Sequence, residues 1–242
     1  MYSIKFDHNG RFVAVFPKTD VGIIALGDAF LAYEASLPAG KRLREPDPAQ
    51  IKDLLLEAKQ AAGLVVTHEN LQAISAGDYN AAIAEAKELM TDALAEIAHK
   101  HRKNPARLQE WGLETKVGVR KTIITRPITN KLWGDFLHDY TAKEQSLPEN
   151  ERVIDPPLAR LLELDQIIQS NRLLRSVATN ERGLYVKNRI TASAQLLELL
   201  QLAGAIFCLT RYDGVVTEEL TRWGFKVVER PVPAAAAEDT AD

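Results

Sequence analysis

Arg107-Leu108-Gln109-Glu110-Trp111-Gly112-Leu113 and Glu219-Leu220-Thr221-Arg222-Trp223-Gly224-Phe225 follow one pattern, 112 residues apart. Each reads as a short helix with a marked start and stop. Asn104 is placed to cap the first, with Pro105 at the first helical position, where a missing N–H costs nothing. Thr217 is placed to cap the second. Gly112 and Gly224 stand where a left-handed C-terminal residue is wanted, and Leu113 and Phe225 follow as the apolar contact that closes such a motif. The two segments therefore read as the closing helices of two copies of one unit, with Trp111 and Trp223 as buried anchors.

Further matches run in the same order. Gly27-Asp28 with Tyr33 matches Gly134-Asp135 with Tyr140, and Ser36-Leu37-Pro38 matches Ser146-Leu147-Pro148. Asp47-Pro48 matches Asp155-Pro156. The collinear set points to an internal duplication. The expected division is 1–118 for a hairpin plus a first helical bundle, 119–233 for a second bundle, and 234–242 for a disordered, alanine-rich acidic tail. The chain has 242 residues, and units of about 110 residues are large enough to bury a core each.

Between these landmarks the chain reads as mainly α. Tyr2, Ile4 and Phe6 alternate before Asn9-Gly10, and Phe12 to Phe16 return, which predicts an N-terminal β-hairpin over 2–16. Thr19 or Asp20 opens a helix to Ser36. Apolar spacing predicts a helix from Asp47-Pro48 to Ser75, a turn at Ala76-Gly77-Asp78, and an amphipathic helix over 79–102. Glu114 to Pro127 reads as a strand pair or extended linker. The second half repeats the plan: a helix over 128–146, another from Asp155-Pro156 broken at Thr179 to Gly183, a third over 184–212, and a short strand over 225–232.

Composition limits the chemistry. The chain is 46% hydrophobic and 26% charged with a net charge of −3, which is ordinary for a soluble globular protein and gives no global attraction to nucleic acid or an anionic membrane. A single cysteine, Cys208, excludes an internal disulfide and a thiolate cluster within one chain. No signal peptide is expected, no membrane span is expected from the Leu196–Leu209 run, and the expected location is the cytoplasm. Phosphate-binding loops, nucleophile elbows and His-Glu-x-x-His motifs do not occur.

Three constellations remain. Glu96-x-x-His99 and Asp135-x-x-His138 each set a carboxylate and an imidazole three apart on a helix, the spacing from which bundle-core metal sites are built. Glu96 and His99 lie on the polar face opposite Met90, Leu94 and Ile97, so a solvated surface is the simpler reading. The connector 99–131 carries nine Lys or Arg against Glu110 and Glu114. Lys100, Arg102, Lys103, Arg107, Arg120 and Lys121 are its candidate phosphate contacts, although no stacking aromatics interleave with them. Leu196, Leu199, Leu200, Ile206 and Phe207 cover more than one face of the last long helix and are candidates for a homodimer interface. The sequence thus favours a non-catalytic interaction or scaffolding protein without a cofactor, whose partner is a protein or a second copy. Nucleic-acid binding through the basic connector is the alternative, and a bundle-core metal enzyme stands third.

Overall fold

Thr19 Oγ1 accepts from Gly22 N, and Thr129 Oγ1 accepts from Leu132 N, so each opens a 17-residue helix with a side-chain cap. These helices are α1, Asp20–Ser36, and α3, Asn130–Ser146. The computed structural model describes residues 11–117 and 122–229. Within them lie two long helices, α2 (Pro48–Lys100) and α4 (Leu158–Arg211), and four short strands: β1 (Phe12–Val15), β2 (Glu114–Val117), β3 (Thr122–Thr125) and β4 (Lys226–Glu229). The protein is mainly helical. Two two-stranded antiparallel sheets complete it, β1 with β4 and β2 with β3.

Both long helices run through positions where the sequence predicts breaks. Ala76-Gly77-Asp78 lies inside α2 and Thr179 to Gly183 lies inside α4. A glycine in a helix interior costs only about 1 kcal/mol relative to alanine. Helix pairing outweighs that here: Gln72 Nε2 donates to Thr179 Oγ1 at 3.2 Å, and Arg182 Nη2 meets Glu69 Oε1 at 2.6 Å.

Only the second strand of the expected hairpin falls among the described residues, as β1. Residues 2–10, including the Asn9-Gly10 turn, lie outside the described residues, and β1 pairs with β4, Phe12 opposite Glu229. The strand pair read at 114–127 is the β2–β3 sheet. The expected tail at 234–242 lies outside the described residues.

The chain divides into two compact units, and the division does not fall at 118/119. One unit comprises 1–66 and 183–242, the other 67–182. The boundaries lie within α2 and α4, because each core needs side chains from both halves of the sequence. In unit 1, Ile23, Leu26 and Phe30 of α1 and Ile51 and Leu55 of α2 pack with Leu196, Leu200 and Phe207 of α4, and with Trp223 and Phe225. In unit 2, Ile83, Met90 and Ile97 of α2 and Trp111 pack with Leu137 and Tyr140 of α3 and Leu161 and Ile168 of α4.

The tryptophan segments are 3-10 helices, Pro105–Trp111 and Glu218–Trp223. Neither Asn104 nor Thr217 makes a side-chain cap hydrogen bond. Gly112 and Gly224 are left-handed, at φ 76° and 86°. A Cβ on Gly224 would come within 2.6 Å of Ala29 Cβ, so glycine is required there by both space and backbone angle.

The links after α1 recur after α3. Glu34 Oε1 accepts from Leu43 N, and Glu144 Oε2 accepts from Val153 N. Arg42 donates to the carbonyls of Leu37 and Ala35, and Arg152 to those of Leu147, Gln145 and Glu144. Arg211, ending α4, donates to Lys41 O, while Lys100, ending α2, donates to Glu151 O.

Not every sequence match holds its place. Gly27 and Gly134 sit at different depths in their helices, and Gly27 faces Leu55 and Leu196 whereas Gly134 faces Ile168 and Arg172. Pro48 is the first residue of α2, whereas Pro156 precedes α4.

Candidate interaction surface

The basic connector is partly committed to the protein itself. Lys100 Nζ donates to Glu151 O at 2.8 Å, and Arg107 pairs with Glu110 at 3.2 Å. Arg102 and Lys103 are exposed. Arg120 and Lys121 lie outside the described residues. Glu110 of the connector is also engaged: it takes both Lys143 and Arg107, which hold its carboxyl below the ordinary range through their hydrogen bonds.

The two carboxylate–histidine pairs do not converge. His138 Nδ1 lies 2.9 Å from Asp165 Oδ2, and that hydrogen bond raises the imidazole above its ordinary value of 6.5. Asp135 instead binds Arg172 Nη1 at 2.6 Å. Among the described residues no group of three or more His, Cys, Asp or Glu has the geometry of a metal site.

The expected homodimer face on α4 is corrected by burial. Leu196, Leu200 and Phe207 are in the core of unit 1, and Leu199 and Ile206 are half-buried against it. The sequence does not show that α1 and the Trp223 segment return to cover this run. Trp223 stacks 4.0 Å from Phe207, 5.3 Å from Phe30 and 4.8 Å from Tyr33 between ring centroids. By length and composition α4 is the one helix among the described residues apolar enough to cross a membrane, and half of its most apolar window is buried inside the protein. Cys208 is buried in the same core, which pushes its thiol up to about 11 and removes it as a nucleophile.

Unit 1 also has a cleft of about 690 Å³ between α1 and the start of α2, floored by Leu31, Leu43 and Leu55. Part of its charged lining is paired, Lys59 Nζ sitting 2.6 Å from Asp28 Oδ1 and Arg42 being held on backbone carbonyls, whereas the buried Glu34 Oε2 has no hydrogen-bond partner.

In unit 2 an apolar surface stands without a partner. Along 67–82 of α2, His68, Ser75, Tyr79 and Ala82 are buried toward α4; along 164–178 of α4, Leu164, Ile168, Asn171 and Ala178 are buried toward α2. The helices run antiparallel here, as Gln72–Thr179 and Glu85–Arg160 require. Leu71 and Ile74 precede the inward positions Gln72 and Ser75. Leu174 precedes Arg175, an exposed residue whose guanidinium lies over the Tyr79 ring, and Val177 precedes buried Ala178. At 3.6 residues per turn each lies about 100° round from the seam, and in an antiparallel pair that rotation carries both sets to the same side. They are 47%, 63%, 56% and 44% exposed, and Leu173 beside them is 67% exposed.

The chain matches no protein-family model, no curated protein and no solved structure.

The residues named from sequence therefore separate. Trp111, Gly112, Trp223 and Gly224 are structural: both rings are buried, and Trp111 Nε1 donates to Glu144 Oε1 at 2.9 Å. The apolar face of unit 2 was missed. Its signal is a second apolar stripe, one residue ahead of the first on each long helix, and the breaks read at 76–78 and 179–183 hid it.

Proposed function

We propose that this is a non-catalytic interaction or scaffolding protein built from a duplicated helical element whose halves are exchanged between two compact units. Support for the duplication is the matched set of links: Glu34 and Glu144, Arg42 and Arg152, Ser36 and Ser146 each stand 110 positions apart and make corresponding hydrogen bonds. The exchange follows from the cores, each of which joins the early half of one copy to the late half of the other.

The observation that carries the interaction reading is the unpartnered face of Leu71, Ile74, Leu174 and Val177. Exposed apolar patches of this kind on a single chain mark sites of association. The same 110-residue offset takes Leu174 to Leu64 and Ile74 to Leu184, both exposed residues of unit 1, but Leu71 to Glu181 and Val177 to Thr67, so half of the face recurs. Converging nucleophile, base and oxyanion donors, which an enzyme needs, have no counterpart among the described residues. The single buried thiol suits a reducing, cytoplasmic setting.

Nucleic-acid binding through the connector is the weaker reading, because Lys100 and Arg107 are already engaged. Photo-crosslinking in cells separates the two. A crosslinking residue at position 174 is expected to give a protein adduct, and one at position 102 no nucleic-acid adduct. Nucleic acid captured at 102, with nothing captured at 174, would reverse the assignment.

A further inference from the structure

We infer that the occupant of the unit 2 face is a second copy of this chain, which docks the same face to form a four-helix arrangement across a two-fold axis. This rests on the reading of that face as an association site. Three properties of the face select a second copy.

The first is size. Four half-exposed aliphatic side chains with Leu173 beside them present an apolar patch on the order of 400–500 Å², the size of the largest and often functional patch on a single chain. Two such patches meeting, with their rims, remove about 1,000 Å² or more from water, the lower bound for a specific interface.

The second is shape. The face is a pair of antiparallel helices, with Leu71 beside Val177 and Ile74 beside Leu174. A helix pair is itself the complement of a helix pair. Two of them pack with a shallow crossing angle as in four-helix bundles, each adding the layer that the other lacks.

The third is charge. Moving outward from the centre, the next positions on this side are Asp78 and Ser170 at one end and Thr67 and Glu181 at the other. Within these rows the charges, Asp78 and Glu181, stand only at the ends, and the one cation beside the middle, exposed Arg175, lies over the Tyr79 ring. A two-fold contact centred on the apolar rows therefore brings no acidic rows together at its middle.

Light scattering behind a sizing column tests this on the full chain. The expected mass at micromolar concentration is twice the chain mass of 26.9 kDa. The double variant Ile74→Glu/Leu174→Glu is expected to run at the single-chain mass with an unchanged helical circular dichroism spectrum, since both side chains are exposed. Cysteine crosslinking provides the second measurement. Val177→Cys is expected to give an oxidised dimer on a denaturing gel, and Ser176→Cys, on the far side of the same helix, to remain monomeric. A wild-type mass of one chain at all concentrations overturns the second-copy proposal and leaves the association reading to the crosslinking at position 174. A double variant that stays dimeric, or equal crosslinking at 176 and 177, overturns the face.

Discussion

The two buried glutamates that tie α1 and α3 to the chain after them should respond differently to the loss of their charge. Glu144 is 1% exposed and Glu34 is 4% exposed. Glu144 uses both oxygens, one for Trp111 Nε1 and one for Val153 N, each at 2.9 Å. Glu34 uses Oε1 for Leu43 N, while Oε2 has no hydrogen-bond partner. Glu144→Gln keeps one acceptor and turns an NH2 group toward a buried N–H donor. Leaving that donor unsatisfied costs about 1–3 kcal/mol, at the upper end because the lost bond was to a charged group. Glu34→Gln keeps the acceptor for Leu43 N and puts the amide nitrogen where nothing donates. It removes a buried carboxylate but leaves the new N–H donors without an acceptor, so the two terms offset and the change should be within about 1 kcal/mol. The assay is urea denaturation of both variants, followed by thermal melting. At this chain length each kcal/mol is worth about 2–4 °C, so Glu144→Gln should melt roughly 4–10 °C lower and Glu34→Gln within about 4 °C of wild type. Equal losses in the two variants, or a loss under about 1 kcal/mol for Glu144→Gln, would refute the assignment of hydrogen bonds as the source of the difference.

Other consequences are checked as directly. His138 is held above its ordinary 6.5 by Asp165, so the stability contributed by this pair is complete below about pH 6.5 and lost as pH rises through the raised folded value. NMR titration should find the imidazole pKa lowered in Asp165→Asn, and an unmoved titration would remove Asp165 as the cause. Cys208, pushed up to about 11 by burial, should resist a thiol reagent in the native protein and react on unfolding; rapid native labelling would contradict the burial. Gly224→Ala combines a positive φ with a 2.6 Å approach to Ala29 Cβ and should cost more than the ~1–2 kcal/mol of a left-handed non-glycine residue. Gly63→Ala, with nothing within 4 Å of its Cβ, should instead stabilise α2 by about 0.4–1 kcal/mol. Melting curves of that pair should move in opposite directions.

Local signals in the sequence were legible where the structure keeps them local. Thr19 and Leu37-Pro38 bound α1, and Trp111-Gly112 and Trp223-Gly224 close their segments with left-handed glycines. The candidate Asn104 and Thr217 caps failed because the segments they precede are 3-10 helices whose starts use no side-chain acceptor. Long-range terms decided the rest. Gly77 and Gly183 look like breaks, yet α2 and α4 run on through them and pair with each other there. The apolar run Leu196–Leu209 looks like an interface until α1 and Trp223 are seen to cover Leu196, Leu200 and Phe207. The exposed face of Leu71, Ile74, Leu174 and Val177 was unreadable for the same reason. Two stripes, 100 residues apart in sequence for Ile74 and Leu174, share a side only once the antiparallel pairing is known.

The pairing of β1 with β4 sets an order for assembly on the ribosome. Arg11 and Glu229, which meet at that sheet, are 218 residues apart. Closing so long a loop from an unfolded chain costs about 3 kcal/mol more than closing a turn of ten residues, by the logarithmic growth of loop entropy. Residues 67–182 need nothing synthesised after them, and Glu69 and Arg182 at their two ends meet in an ion pair. Once that segment has folded, the long loop is already drawn shut at its base. The first helix and strand of the nascent chain then wait only for the last stretch to emerge, roughly 2–9 s at ordinary elongation rates, with Ile23, Leu26 and Phe30 uncovered in the meantime. Truncation a few residues before Trp223 should therefore leave a chain with a finished inner segment and an open outer one, the form most exposed to chaperone capture and to swapping with a neighbour.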